Sequence, residues 1–312
     1  MMREHWLCLF AWLAVAAATR DCARAEESLM LPMSWNKGDV RHYELVKSRK
    51  KTGAAQRAID STTQTPLVVE VLAADEEGFL IAWTLGETKF TGAAQGNLLA
   101  QKVVNMMTGM KVTMRVNGEG NVQEVVNWKE IRDLVAKFLN LMTDELKGTG
   151  IDERSVRAIT AQVSAAFSTK DQIRERCTRE AQMFFLPTGG GYSTDGRKYE
   201  DRLPNPLGGE PIPASAEFVL KSVDRGANTA TIIWKQAADP VAARRILTET
   251  LKNQAAQLGK KSDARDSGDV AFSDVAEFKV DLTTGWPDHI DYRRTITVSG
   301  ETQVDAMVIS SK

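Results

Sequence analysis

Residues 67–86 read LVVEVLAADEEGFLIAWTLG, and this stretch decides the fold because it follows the period of a β-sheet. Within it Phe79, Ile81 and Trp83 alternate with smaller or more polar residues, as in a strand with one buried face. The acidic segment 75–78, which ends in glycine, separates this strand from an earlier apolar run at 67–73. The stretch therefore predicts two adjacent strands of an antiparallel sheet.

Further signals on both sides complete a first β-rich unit at 26–126. The polar segment 48–65 forms either a long hairpin tip or a mobile loop. Residues 94–108 have the period of an amphipathic helix, and Gly109 is placed to end it. The remaining strands are predicted at 111–116 and 122–126, around the turn sequence NGEGN.

A helical block is predicted at 127–190. Asn127 is placed as the N-cap of its first helix, and Thr169 with Gln172 forms a capping box at the start of its third. A second β-rich unit follows at 191–312, in which Asp239 and a proline open a helix. The strands of this unit are predicted at 217–223, 227–235, 276–282, 290–298 and 303–309.

The two β-rich units repeat one order of elements, which indicates an internal duplication. Each has a strand, a turn, a strand with a late tryptophan, a helix, and two strands joined by a glycine-containing turn; the matching tryptophans are Trp83 and Trp234. The predicted fold class is α+β, with two antiparallel half-barrel-like units, each with a packed helix, separated by the helical block. The two tryptophans are either core anchors or a platform for a ligand.

The first 25 residues predict a cleaved export signal. Charged residues precede an apolar run from Trp6 to Ala18, and Ala23-Arg24-Ala25 follows as the cleavage site. The run is shorter than the about 20 residues that cross a bilayer as a helix. We therefore expect cleavage before Glu26, no membrane span after it, and a periplasmic or extracellular location in a bacterium; an uncleaved anchor is the alternative.

Composition excludes several classes of protein. A formal net charge of −1 gives no basic surface for nucleic acid, and a hydrophobic content of 43% is that of a packed chain. Of the three cysteines, only Cys177 lies beyond the export signal, so no intramolecular disulfide is expected. Its place on an apolar helix stripe indicates a buried, unreactive thiol, and a reactive or intermolecular cysteine is the alternative.

No motif in the sequence predicts catalysis. The patterns G-x-S-x-G, H-E-x-x-H and G-x-x-x-x-G-K do not occur. Only His42 and His289 lie beyond the export signal, and neither has a second metal ligand at a suitable spacing. We therefore expect no catalytic residue, no metal and no cofactor. A pair of carboxylates for glycoside hydrolysis is the remaining enzymatic alternative.

Two resemblances add to this interpretation. The Lys37-Gly38-Asp39 start with Tyr43, the strand pair ending near Trp83 and the closing strand-Gly-strand resemble an uncharacterised family of secreted bacterial two-module β-rich domains. The strand–helix–strand order is also similar to the half-barrels of periplasmic lipoprotein carriers. That similarity implies a concave apolar surface.

The sequence leaves two functional hypotheses. The first is an exported, non-catalytic envelope protein that binds an apolar ligand or a lipidated partner in a half-barrel, the ligand being a lipid or another hydrophobic molecule. The alternative is a structural or protein-interaction module that contacts an envelope protein through its surface. For the first hypothesis, the residues predicted to line the ligand site are Trp83, Trp234, Phe79, Ile81 and Ile232.

Overall fold

A computed structural model of the chain describes residues 28–53, 56–96, 98–105, 108–146, 153–203, 205, 209–257 and 270–312. The strands are β1 Ser28–Met30, β2 Val40–Gly53, β3 Gln56–Asp75, β4 Gly78–Leu85, β5 Lys89–Gly92, β6 Lys111–Val116, β7 Val122–Val125, β8 Gly191–Ser193, β9 Arg197–Leu203, β10 Ile212–Asp224, β11 Thr229–Ala238, β12 Val270–Asp281, β13 Pro287–Val298 and β14 Glu301–Ser311. The α-helices are α1 Leu98–Asn105, α2 Trp128–Leu146, α3 Glu153–Ala166, α4 Lys170–Cys177, α5 Arg179–Phe185 and α6 Pro240–Gln257, with a 3₁₀ turn at Ala93–Gly96. The predicted export signal lies outside the described residues.

One large antiparallel sheet contains nearly all of the strands. Its order is β7-β6-β4-β3-β2-β14-β13-β12-β11-β10-β9, with β5 paired to β3, while β1 and β8 pair separately. The sheet is open and does not close into a barrel. The predicted β-rich α+β class is confirmed at this level.

The two predicted units share this sheet, because β2 near the start of the chain pairs with β14 at its end. Leu45 of β2 lies opposite Ile309 of β14, and both side chains are buried. Two separate half-barrels are therefore not confirmed, since the strands of both units form one continuous hydrogen-bonded sheet. The division at residues 126 and 190 stays a prediction.

The polar segment 48–65 belongs to a long hairpin, which confirms the first of the two alternatives for it. Strands β2 and β3 pair from Val40 opposite Glu70 to Gly53 opposite Gln56. Strand β14 pairs with the other side of β2, and its acidic residues form ion pairs with Arg49 and Lys51. These cross-strand pairs explain why so polar a segment is extended.

Helix α5 lies on one face of the sheet and carries the centre of the core. Phe184 and Phe185 are fully buried. The ring of Phe184 meets those of Tyr43 and Trp83 edge to face at 5.1 and 5.4 Å between centroids. Edge-to-face pairs of this kind add to the stabilisation from burial. We call the face of the sheet that meets α5 the helix-facing side.

Two predicted helices are each divided, and the side chain of one predicted cap bonds to the sheet. The predicted third helix of the block is divided into α4 and α5 at Thr178, whose hydroxyl donates to the carbonyl of Arg174 at 2.7 Å. The predicted helix at 94–108 is a 3₁₀ turn followed by α1. The Asn127 side chain accepts the Thr113 amide of β6 at 2.9 Å, so it joins the sheet to α2.

Two predicted caps are confirmed. Thr169 and Gln172 form the capping box of α4. The Asp239 carboxylate accepts the Ala242 amide at 2.7 Å at the start of α6. Helix α6 packs in a second, smaller core, and the predicted end of this helix at Gly259 lies outside the described residues. The buried members of that core are Leu203, Ile212, Ala214, Ala243, Ile246, Leu247, Val270 and Phe272.

Candidate functional site

Two adjoining cavities lie between the helix-facing side of the sheet and the helices. The larger has a volume of about 790 Å³, and its walls come from α4, α5 and strands β2, β3, β9, β11, β13 and β14. The smaller, of about 610 Å³, is bounded by α1, α3, α4, α5 and strands β2, β3, β4 and β6. Four residues line both, namely Lys47, Thr63, Arg176 and Glu180.

An ion pair marks the boundary between the cavities. Lys47 Nζ on β2 lies 2.9 Å from Glu180 Oε1 on α5, and the Glu180 side chain is 23% exposed. Burial acts to raise the pKa of Glu180, but the charge and hydrogen bond of Lys47 outweigh it and hold that pKa below its usual range. The carboxylate is therefore ionised at neutral pH and ties α5 to the sheet.

The five residues predicted to line a ligand site do not come together in one place. Trp234 lines the larger cavity and Trp83 lines the smaller. Phe79, Ile81 and Ile232 line neither cavity and belong to the buried core. A role for the two tryptophans in ligand contact stays a prediction.

The two tryptophans differ in their surroundings. Trp83 meets Phe184 and Phe185 edge to face on α5. Trp234 donates its indole N–H to the hydroxyl of Tyr199 at 3.0 Å. Both indoles are nearly buried, at 2% exposure for Trp83 and 6% for Trp234, so the protein holds each in a fixed position in its cavity wall.

A row of polar side chains crosses the sheet at the larger cavity. Its members are direct cross-strand neighbours on five successive strands, β2, β14, β13, β12 and β11, so they share the helix-facing side. We call this set the polar row; it consists of Arg49, Asp305, Arg294, Asp274 and Gln236. All of them except Asp274 line the larger cavity.

The polar row satisfies most of its own charges. Asp274 is 2% exposed and accepts two hydrogen bonds from Arg294, each of 2.7 Å, and one from the Tyr292 hydroxyl at 3.1 Å. Arg49 Nε donates to Asp305 Oδ1 at 2.6 Å. Burial, with the nearby charge of Asp274, raises the pKa of Tyr292 to about 12, so its hydroxyl stays protonated.

Sequence reasoning missed the polar row, although β12 carries a signal for it. Residues 270–280 read VAFSDVAEFKV, and every second residue from Val270 is apolar except Asp274. An aspartate on the buried side of a strand requires a partner there, because an unpaired buried charge is costly. The partner, Arg294, lies on the next strand, at a register that sequence spacing alone does not give.

Two reactive residue types in the described part of the chain do not come together at these cavities. Cys177 lines the smaller cavity, and burial raises the pKa of its thiol to about 11, so the thiolate is scarce at neutral pH. His289 Nδ1 is 2.9 Å from Ser310 Oγ, but neither residue lines either cavity. Across the described ranges, His, Cys, Asp and Glu form no group of three that could hold a metal ion.

No family model matches the chain, and no curated protein matches it. Among solved structures, DynF from the dynemicin biosynthesis pathway of Micromonospora chersina is similar over 90% of this chain and 84% of that one, at 4% identity and a TM-score of 0.20. A score this low carries no argument about fold or function. The comparisons thus give no support to the resemblances to secreted domains and lipoprotein carriers. Of the helices that the structure describes, none is both long and apolar enough to cross a bilayer.

Proposed function

We propose that this chain is an exported, non-catalytic envelope protein that binds an apolar ligand, or the acyl chain of a lipidated partner, between the sheet and helices α3–α5. The observation that carries the proposal is the pair of adjoining cavities of about 790 and 610 Å³, with Trp234 and Trp83 in their walls. Ligand sites in proteins typically measure roughly 300–1,000 Å³ and are lined mainly by apolar and aromatic side chains.

The walls suit a molecule with a substantial apolar part. In the larger cavity Met183 and Leu186 are half-buried, in front of the nearly buried Trp234, Met307 and Leu203. In the smaller cavity Leu85, Val163 and Phe167 are half-buried, beside the buried Trp83 and Val112. Covering the half-buried side chains with an apolar ligand removes more of them from water, which favours binding by about 25 cal/mol for each Å².

The test is native mass spectrometry of the chain purified from the periplasm of an expressing bacterium, followed by solvent extraction. We expect a bound hydrophobic molecule that is released on denaturation. A variant that fills the larger cavity, Ser61→Phe, should carry about tenfold less of it, because Ser61 lies opposite Arg49 on the helix-facing side and the added ring occupies ligand space. The matched variant Ser273→Phe places the same ring on the exposed side of β12 and should retain the ligand.

A folded chain with no bound molecule, which also takes up no added long-chain hydrophobe, would contradict the proposal. Equal ligand loss in the two variants would also contradict it, because the effect would then be unrelated to the cavity. Circular dichroism and thermal melting of both variants establish that each is folded.

The export part of the proposal is supported by the signal-like order of residues 1–25. The expected mature chain begins at Glu26. N-terminal sequencing or intact mass measurement of the periplasmic protein checks this directly. A mass that retains the first 25 residues would favour the uncleaved anchor.

One surface favours the alternative, a protein-interaction module. Leu134 and Leu141 on α2 are 39% and 57% exposed and lie seven residues apart, which places them on the same side of the helix. A ligand-free chain that crosslinks to one envelope protein, and loses that crosslink in Leu134→Glu/Leu141→Glu, would favour this alternative.

A further inference from the structure

We propose that the larger cavity takes an amphiphile with an anionic head group, a carboxylate or a phosphate monoester, which lies by Arg176 and Arg179 while its apolar chain lies by Met183 and Leu186. This inference rests on the proposed function and specifies the class of its ligand. It is carried by the arrangement of charges around the cavity together with the apolar side chains beside them.

The cavity walls carry more cations than anions. Six basic side chains line the cavity against three acidic ones, although the whole chain has a formal net charge of −1. The basic residues are Lys47, Arg49, Arg176, Arg179, Arg202 and Arg294, and the acidic ones are Glu175, Glu180 and Asp305. A wall of one predominant sign in a recess attracts a ligand of the opposite sign.

Protein partners already neutralise three of the six cations. Lys47 pairs with Glu180, Arg49 with Asp305, and Arg294 with Asp274 behind the wall. Arg176, Arg179 and Arg202 remain, opposite the single carboxylate of Glu175, so the residues around the cavity keep an excess of two positive charges.

Two of these three guanidinium groups are available to a ligand. Asp201 and Leu203 on β9 are on the helix-facing side, so the side chain of Arg202 between them points to the other side of the sheet. Within the described part of the chain, Arg176 donates only through Nε, to the carbonyl of Ala166 at 3.1 Å, and the Arg179 side chain makes no hydrogen bond and no ion pair. Both are exposed, Arg176 near the end of α4 and Arg179 at the start of α5. Arginine binds carboxylate and phosphate through two parallel hydrogen bonds, which a water molecule cannot reproduce.

The apolar part of the ligand has a surface beside these arginines. Met183 lies one turn after Arg179 on α5 and Leu186 follows the helix, and both are half-buried, so apolar surface remains to be covered there. Across the cavity, Leu203, Trp234 and Met307 are 5%, 6% and 6% exposed and form an apolar floor. The cavity therefore offers apolar surface and unpaired cations together, which is the pattern an anionic amphiphile requires.

The smaller cavity does not offer this combination. Its charged lining residues are Lys47, Arg176 and Glu180, all shared with the larger cavity, and its other polar side chains are mainly threonines. The Lys47–Glu180 pair is internally neutral. A head group with a negative charge is therefore drawn to the larger cavity and away from the smaller one.

Isothermal titration calorimetry on the delipidated protein at neutral pH and low salt tests the inference with four probes: dodecanoate, dodecyl phosphate, dodecanol and inorganic phosphate. Dodecanoate and dodecyl phosphate should bind at least about tenfold more tightly than dodecanol, as expected for a hydrogen bond to a charged group. Inorganic phosphate should bind far more weakly than dodecyl phosphate, because it lacks the chain.

Arg176→Gln/Arg179→Gln should reduce the preference for dodecanoate over dodecanol by about tenfold. The control is Arg132→Gln/Arg197→Gln, which removes the same charge from α2 and β9 at residues that do not line the cavity. This control should keep the preference. Thermal melting establishes that both double variants are folded.

Each outcome has one meaning. If dodecanoate and dodecanol bind equally, or if both double variants lose the preference alike, the head-group inference is overturned and apolar binding stands. If inorganic phosphate binds as tightly as dodecyl phosphate, the site is an anion site and the amphiphile is rejected. If no chain-bearing probe binds, the proposed function itself fails.

Discussion

The two halves of the sheet share a strand order but differ in the side chains that they present to the helices. Across the sheet the first half has the order β7-β6-β4-β3-β2. Strand β14 comes next, and the second half has the order β13-β12-β11-β10-β9. Helix α1 follows β4 and its 3₁₀ turn, and α6 follows β11. The register also agrees: Trp83 lies opposite Val112 of the strand after α1, and Trp234 lies opposite Ala276 of the strand after α6.

The difference lies in polarity. On the helix-facing side of the first half, β3, β4 and β6 are apolar at Val69, Ile81 and Met114, which are fully buried. In the second half, Asp274 and Gln236 are buried on the same side. Met110 lies two residues before Val112, the partner of Trp83. Asp274 lies two residues before Ala276, the partner of Trp234. A repeated order of elements therefore fixes where a tryptophan lies but not the chemistry of the cavity beside it; the duplication itself stays a prediction.

Phe184→Ala should give the largest loss of stability, because it removes the side chain that packs α5 against the first half. Phe184 is fully buried and meets Tyr43, Trp83, Phe185 and Trp286. Truncating a buried phenylalanine leaves a cavity and costs about 3–5 kcal/mol. Urea denaturation measures the free energy of unfolding.

The matched control is Phe138→Ala, the same substitution at a half-buried position of α2. It should lose clearly less stability. If both variants lose the same amount, α5 is not the centre of the core and the contrast between the halves has no energetic basis.

Sequence reasoning predicted local elements well and their assembly poorly. The period-two pattern from Phe79 to Trp83, the capping box at Thr169 and the Asp239 cap all depend on residues close in the chain. The pairing of Leu45 with Ile309 joins residues at opposite ends of the chain, and the register of Arg294 against Asp274 depends on the hairpin between β12 and β13. Neither pairing leaves a local pattern. This is why the sequence suggested two separate units where the structure has one sheet.

The dependence on local patterns also explains why the sequence predicted only part of the site. Trp83 and Trp234 were identifiable as large residues late in matching strands, and each lines a cavity. Ile81 and Ile232 show the same alternation but belong to the filled core and line neither cavity. Period two distinguishes the two faces of a strand, and it cannot tell a filled part of one face from an empty part.

Asp274→Met makes the second half resemble the first, and it should give the second-largest loss of stability. The substitution leaves Arg294 without its carboxylate while 23% of the Arg294 side chain is exposed. Removing one partner of a buried pair costs about 3–5 kcal/mol, and this partial exposure lowers our expectation to about 2–3 kcal/mol. Urea denaturation at neutral pH checks the value.

The double variant Asp274→Met/Arg294→Met should recover most of that loss, because an apolar pair of similar volume needs no partner charge. A double variant no more stable than Asp274→Met alone would show that the polar row contributes packing that methionine cannot replace. In that case the difference between the halves would be one of shape more than of charge.

Glu180→Gln should give the smallest loss of stability. This substitution removes the carboxylate at the boundary between the two cavities. The pKa of Glu180 is held below its ordinary value of 4.5 in the folded protein, so folding favours the ionised carboxylate. The stabilisation from ionisation is complete above the unfolded pKa and is lost as the pH falls through the folded pKa. The difference in unfolding free energy between the original chain and Glu180→Gln should therefore be constant near neutral pH and shrink as the pH falls below about 4.5.

Removing Lys47 should weaken this dependence. In Lys47→Met the burial of Glu180 is opposed only by its backbone hydrogen bond and the charge of Arg179, so its folded pKa should rise. Relative to Lys47→Met/Glu180→Gln, the carboxylate should then stabilise the fold at neutral pH by less than it does in the original chain. Urea denaturation of the four chains at a series of pH values measures both dependences. Parallel curves with and without Lys47 would mean that the ion pair does not hold Glu180 in its ionised form, and that α5 is tied to the sheet by its two phenylalanines alone.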